Sequence, residues 1–278
     1  MPAWDEAAVA AAAKRLRLSL DPRRRRHGGG QRLGAGPGAS LEFHDHRAYV
    51  PGDDLRHLDW GVYARSDQLV LRRHRVEVSP VLEILIDASL SVDAHAGRFR
   101  ALTGLAAVLA TMAEQDGGRP RVWALGATPR RLSDWRAELR RLTASGSAGP
   151  EVSIAALAPG ADRILLTDGM CPAGGRAVID RLGRGAGRIS AVHVLVAAER
   201  DPPAAGAVLL ADAEAGARDA ILDAESIAAY HERLHRHQAG WQGALHGRGC
   251  GLVLLSAEDD LTAQLRTLLQ VGLVESRV

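Results

Sequence analysis

From residue 81 onward the chain alternates short apolar runs with stretches whose apolar residues return every three or four positions. The runs VLEILIDAS, RVWAL, DRILLTDG, ISAVHVLVA and CGLVLLS are too short for helices and have almost no polar face, as expected of strands covered on both sides. Between and around them, Arg98 to Ala113, Ser133 to Leu142, Ala177 to Leu182, Ser226 to His246 and Asp259 to Leu269 carry the longer period of helices. Strands bounded by helices predict an α/β fold with a mainly parallel sheet and helices on both faces. AVLLAD and ARDAILD, with Ala-Glu-Ala-Gly between them, predict a hairpin.

The first 80 residues follow another pattern. Residues 6–20 read as an alanine-rich helix, and DPRRRRHGGGQRLGAGPG then breaks every period, so residues 1–33 are expected to form a helix and a basic, glycine-rich loop. A segment rich in carboxylates occupies residues 34–79 and ends in the alternation of an exposed strand. The α/β pattern fills residues 80–278. There is no internal repeat.

Composition narrows the functional classes. The chain has 278 residues, 46% of them hydrophobic, enough for one sizeable core with an appendage. With 35 basic against 33 acidic residues its net charge is +2, too balanced to imply a nucleic-acid partner. Cys171 and Cys250 are too few for a zinc ribbon or a disulfide framework and suit a reducing compartment. The start of the chain, with Asp5 and Glu6 before an alanine run, lacks the basic opening of a signal peptide, and no apolar stretch is long enough to span a bilayer. The expectation is a cytoplasmic, soluble protein.

Two predicted strands end in carboxylates, Asp87 and Asp168, and ligands of open parallel sheets bind at the carboxyl ends of strands. Asp87 begins the run Asp87-Ala88-Ser89-Leu90-Ser91; in an extended turn residues i, i+2 and i+4 point the same way, bringing one carboxylate and two hydroxyls together. Oxygen donors of this kind suit a hard cation such as magnesium, which is usually held by one or two carboxylates and keeps several waters. A competing motif, His231-Glu232-Arg233-Leu234-His235, matches the zinc-protease pattern H-E-x-x-H, but Arg233 and Arg236 beside it favour a solvated, charged helix face. His44, Asp45 and His46 are neighbours that cannot all face one ion. Asp53, Asp54 and Asp59 surround Arg56 in sequence and read as a local salt-bridge and turn network. Arg23 to Arg26, next to glycines, read as a solvated loop.

Asp87-x-Ser89-x-Ser91, with Thr167-Asp168-Gly169 at a later strand end, resembles the metal-ion-dependent adhesion site of von Willebrand factor A domains. Upstream, Glu42-Phe43, Arg47-x-Tyr49, Pro51-Gly52-Asp53-Asp54-x-Arg56, Asp59-Trp60 and Ala64-Arg65 resemble the signature of the DUF58 family, as do the later Glu199-Arg200-Asp201-Pro202 and the helix with Tyr230. That resemblance implies a von Willebrand factor A-like sheet, a magnesium ion (or manganese or calcium) at Asp87, Ser89, Ser91 and Asp168, and a further threonine ligand from the intervening loop. Thr143 and Ser145 are the nearest candidates, and Thr103 is a weaker one. It also implies an adaptor that binds an acidic residue of a partner, a MoxR-type AAA+ ATPase acting on a client protein. The alternatives are a metallohydrolase working through residues 231–235 and a metal-free scaffold.

Overall fold

A computed structural model of the chain describes residues 4–19, 41–76, 81–95, 97–146, 149–150, 157–203, 206–212, 216–249 and 251–277. Arg23 to Arg26 and Cys250 lie outside them, as do the side chains of Glu42, Phe43, His44 and Asp45. The chain divides into two compact units, Met1–Ser19 with Pro80–Val278 and Leu20–Ser79.

In the first unit helix α1 (Glu6–Arg15) is capped by Asp5, which accepts from Ala7 N, and runs into β1 (Leu16–Leu18). The expected helix to residue 20 therefore stops at Arg15. Its end is held from far away in sequence: Arg277 donates through its backbone N to Arg15 O at 2.8 Å, and through Nε to Ala13 O and Leu16 O at 3.0 Å. The N-terminal helix is thus part of the α/β unit.

The second unit is an antiparallel pair, β2 (Leu41–Ala48) and β3 (Val70–Val76), with a bulge between Phe43 and Asp45. Helix α2 (Trp60–Ser66) lies between them in sequence and is capped by Asp59, which accepts from Gly61 N and Val62 N. The expected ring of acids around Arg56 is divided. Asp54 pairs with Arg56 at 2.7 Å, Asp53 with Arg47 at 2.8 Å, and Asp59 with His46 at 2.9 Å.

The remaining elements of the first unit are β4 (Val81–Asp87), α3 (Leu90–Asp93), α4 (Arg98–Gln115), β5 (Arg119–Leu125), β6 (Arg130–Leu132), α5 (Trp135–Arg140), β7 (Asp162–Thr167), α6 (Gly174–Leu182), β8 (Arg188–Leu195), α7 (Ala197–Arg200), β9 (Gly206–Asp212), β10 (Gly216–Leu222), α8 (Ala224–Leu245), β11 (Gly251–Ser256), α9 (Leu261–Gln270) and β12 (Val274–Ser276). Six strands form the central sheet in the order β11-β8-β7-β4-β5-β6, parallel throughout except for the antiparallel edge strand β6. β9 and β10 form the expected hairpin as a separate two-stranded sheet. β1 pairs antiparallel with β12, Leu18 facing Val274, which the sequence reading did not anticipate.

The apolar runs of β4, β5, β7 and β8 are buried because helices cover both faces, while at the sheet edge β11 leaves Leu254 42% exposed. α4 packs against β4 and β5, with Leu102, Leu105, Leu109 and Met112 inaccessible, and α1 lies on its outer side. On the opposite face α6 and α8 bring Val178, Ile179, Leu182, Trp241 and Leu245 against Leu85, Trp123 and Leu165. Gly175 admits Trp241 here: a Cβ would stand 2.5 Å from the indole. Within the core, Arg163 of β7 donates through Nε to Glu83 of β4 at 3.0 Å, and its other nitrogens reach the carbonyls of Ala158, Leu182 and Arg184. Among the described residues no helix is long and apolar enough to cross a membrane.

Candidate functional site

β4 and β7 are neighbours in parallel register, Ile86 beside Leu166, so their carboxyl ends deliver Asp87, Thr167 and Asp168 to one place. Both aspartates are buried, 2% and 3% exposed. Asp87 Oδ1 accepts from Ser89 N at 3.0 Å and from Ser89 Oγ at 2.6 Å, and its Oδ2 accepts from Thr167 Oγ1 at 2.6 Å. Ser89 Oγ and Ser91 Oγ are 3.0 Å apart. The convergence expected of Asp87, Ser89 and Ser91 is therefore present, by a different device. The run is not an extended turn: Ser89 is the N-cap of α3 and Ser91 lies in its first turn.

Asp168 is held at both oxygens. Oδ1 accepts from Met170 N at 2.9 Å and Oδ2 from Arg98 Nη1 at 2.9 Å. The Arg98 guanidinium, 1% exposed, also bonds Glu199 through Nη2 and touches Ser91 O at 3.4 Å. Glu199 is fixed in turn by Val196 N at Oε2 and by the Tyr230 hydroxyl, which donates to its backbone carbonyl at 2.5 Å. Burial first, and the Asp168 charge second, push the Asp87 carboxyl up from 3.8 to about 7, against the hydrogen bonds from Ser89 and Thr167. Burial also raises Asp168, opposed by the Met170 amide and Arg98. Two carboxylates that each resist ionisation are a place where added positive charge is favourable.

Behind the strand end, Gly169 adopts φ +76°, and a Cβ there would stand 2.2 Å from His193 Cε1. Its carbonyl accepts from Trp241 Nε1 at 3.2 Å and lies 2.6 Å from His237 Nε2. His193 crosses Trp241 edge-on with centroids 4.6 Å apart, and burial drives its pKa down to about 3, so the ring is neutral. These groups brace the Thr167-Asp168-Gly169 turn from below.

Thr143 is exposed. The loop that carries it does reach the site's backbone: Ser145 N donates to Ala88 O at 2.7 Å, and Leu90 N to Gly146 O at 3.0 Å. Thr103 is spent inside α4, its hydroxyl bonded to Phe99 O and Arg100 O. The threonine that contacts Asp87 is Thr167, quoted in the motif but not assigned as a donor from sequence. Arg98 and Glu199 were likewise unassigned. Glu199 lay in a recognised motif; nothing local marked Arg98. In the H-E-x-x-H run, Glu232 faces Arg236 at 3.8 Å with both side chains largely exposed, and His231 faces Asp201 at 3.7 Å. Among the described residues no three His, Cys, Asp or Glu side chains are grouped to hold a metal, so a cation here would rest on hydroxyls as much as on carboxylates.

Two separations among those oxygens can be set beside the ligand spacing of a small ion. Adjacent oxygens around an octahedral magnesium at roughly 2.0 to 2.1 Å stand about 2.9 Å apart. Asp87 Oδ1, Ser89 Oγ and Ser91 Oγ are spaced at 2.6 and 3.0 Å.

The profile of a family described as "Protein of unknown function DUF58" matches residues 45–240. The chain is also 33% identical over 89 residues to "Uncharacterized protein Rv1480" of Mycobacterium tuberculosis and to "Uncharacterized protein Mb1516" of Mycobacterium bovis. Each match covers 32% of this chain and 28% of the relative's length.

Proposed function

This chain belongs to the DUF58 family, and on that premise we propose that its α/β unit is a von Willebrand factor A-like binding module whose divalent-ion site engages an acidic residue of a protein partner. One observation carries the reading: Asp87 Oδ1, Ser89 Oγ and Ser91 Oγ lie in a chain at 2.6 and 3.0 Å, next to the strand end that bears Asp168. Asp87, Ser89 and Ser91 would hold the ion, magnesium in the first place and manganese or calcium otherwise. Asp168 adds the second negative charge, and a loop ligand would come from Thr143, two residues from the Ser145 amide bonded to Ala88. When bound, such an ion supplies a positive, open coordination position that a carboxylate can fill.

The partner we propose is a MoxR-type AAA+ ATPase, met in the cytoplasm, with the output being assembly or maturation of a client complex. A second reading, a metal-free scaffold, has one observation in its favour, since Arg98 already sets a cation against Asp168. Binding of the full chain to a purified, nucleotide-free MoxR-type ATPase separates the two. The module reading expects association in magnesium that EDTA and Asp168→Ala each weaken at least about tenfold, a loss equivalent to about 1.4 kcal/mol. Equal affinity in all three conditions, with the variant folded by circular dichroism, removes it.

A further inference from the structure

The Arg98 guanidinium is the sole cation bonded to Asp168 among the described residues, and it shares itself with Glu199. It is buried to 1% exposure, where an unpaired charge is costly and a paired one interacts strongly. Its carboxylate partners are anchored independently, Asp168 by the Met170 amide and Glu199 by the Val196 amide, so neither needs Arg98 to define its position alone. Asp168 and Glu199 are thus linked through one guanidinium, which also touches the carbonyl of Ser91, a residue whose hydroxyl lies 3.0 Å from the Ser89 hydroxyl that donates to Asp87. One guanidinium faces both of these carboxylates, with His95 Nε2 3.8 Å from Glu199 Oε1.

We propose that Arg98 is a resident counter-cation of the site, whose charge beside Asp168 keeps divalent-ion affinity low enough for the ion to exchange. The proposal rests on the reading of Asp87, Ser89 and Ser91 as a divalent-ion site. It assigns opposite signs to two substitutions. Arg98→Gln removes the competing charge and leaves Asp168 and Glu199 to the ion, so magnesium binds more tightly. Glu199→Gln leaves the guanidinium to Asp168 alone, so magnesium binds more weakly. A purely structural role for the triad moves both variants in the same direction.

The experiment is calorimetric titration of magnesium chloride into metal-free full-length protein at pH 8, with Asp87→Asn as the reference for the site and circular dichroism to confirm folding. The expected result is affinity at least about tenfold higher in Arg98→Gln, at least about tenfold lower in Glu199→Gln, and returned toward wild type in Arg98→Lys, which keeps the charge. If Arg98→Gln does not fold, Glu199→Gln and Arg98→Lys decide: weaker binding in the first with near-wild-type binding in the second supports the proposal, and any other pair of results overturns it. Asp87-dependent binding in wild type with both charge variants unchanged or shifted the same way overturns the role of Arg98 and leaves the ion site standing. Binding in Arg98→Gln but not in wild type supports the counter-cation and removes the ion from the wild-type protein. No binding in any variant overturns both.

Discussion

Replacing Asp87 by asparagine should make the ion-free protein more stable, not less. The carboxyl sits at 2% exposure beside Asp168, and its pKa moves from 3.8 to about 7. A raised carboxyl pKa means that the native state binds the proton more tightly than the unfolded chain. Its contribution to stability is therefore fully present below pH 3.8 and is lost as the pH rises through about 7. The whole displacement corresponds to roughly 4 kcal/mol above pH 8. Asparagine keeps the shape and an oxygen for Ser89 N and Oγ, but presents an amide to Thr167 Oγ1, which already accepts from Gly169 N. The Thr167 hydroxyl must then turn and accept twice, a cost of about 1 kcal/mol. Net stabilisation at pH 8.5 in EDTA is expected at about 2 to 3 kcal/mol, shrinking to near zero or below at pH 4. Urea unfolding at pH 4, 6 and 8.5, followed by the near-ultraviolet dichroism of the core tryptophans Trp123 and Trp241, measures it. In wild type at pH 8.5 added magnesium should recover the lost stability, and in Asp87→Asn it should have no effect. An asparagine variant less stable than wild type at pH 8.5, or a difference that does not grow with pH, would refute the argument from burial and repulsion.

Changing Ser89 and Ser91 together to alanine should leave the fold intact and weaken magnesium binding at least about tenfold by calorimetry, because both hydroxyls belong to the oxygen chain rather than to the core. Gly169→Ala should cost at least about 2 kcal/mol in urea unfolding, since it combines φ +76° with a Cβ 2.2 Å from the His193 ring; a stable variant would mean the turn can move away from His193. Arg163→Met should lower stability by about 3 to 5 kcal/mol, because Glu83 is left buried without its guanidinium and three carbonyls lose a donor. A change within 1 kcal/mol, a margin small against that loss, would show that the pair is replaceable by an apolar contact.

Local pattern was sufficient wherever a segment's own burial left a period in its residues. The strands at 81–87 and 162–167 read as buried because helices cover both of their faces, and their terminal aspartates were legible as a site because strand ends in parallel sheets converge. The hairpin of β9 and β10, whose described side chains are mostly exposed, was legible instead from two strand-length runs on either side of a short turn. The DUF58 signature named the family that the profile match supports. Pairings between distant segments leave no such trace. β1 and β12 are three residues each, too short to show alternation, and exist because Leu18 meets Val274 and Arg277 caps the carbonyls at the end of α1. The serines of the site converge through the first turn of α3, which a reading of Asp87-x-Ser89-x-Ser91 as extended chain could not distinguish, since both conformations can gather the same atoms. Arg98 is separated from Asp168 by 70 residues and from Glu199 by 101, and in its own helix it is one of two arginines, with Arg100. Only the packing of α4 beneath the ends of β4 and β7 decides that this guanidinium, and not a neighbouring one, is buried against those carboxylates, because burial and pairing are properties of the assembled core.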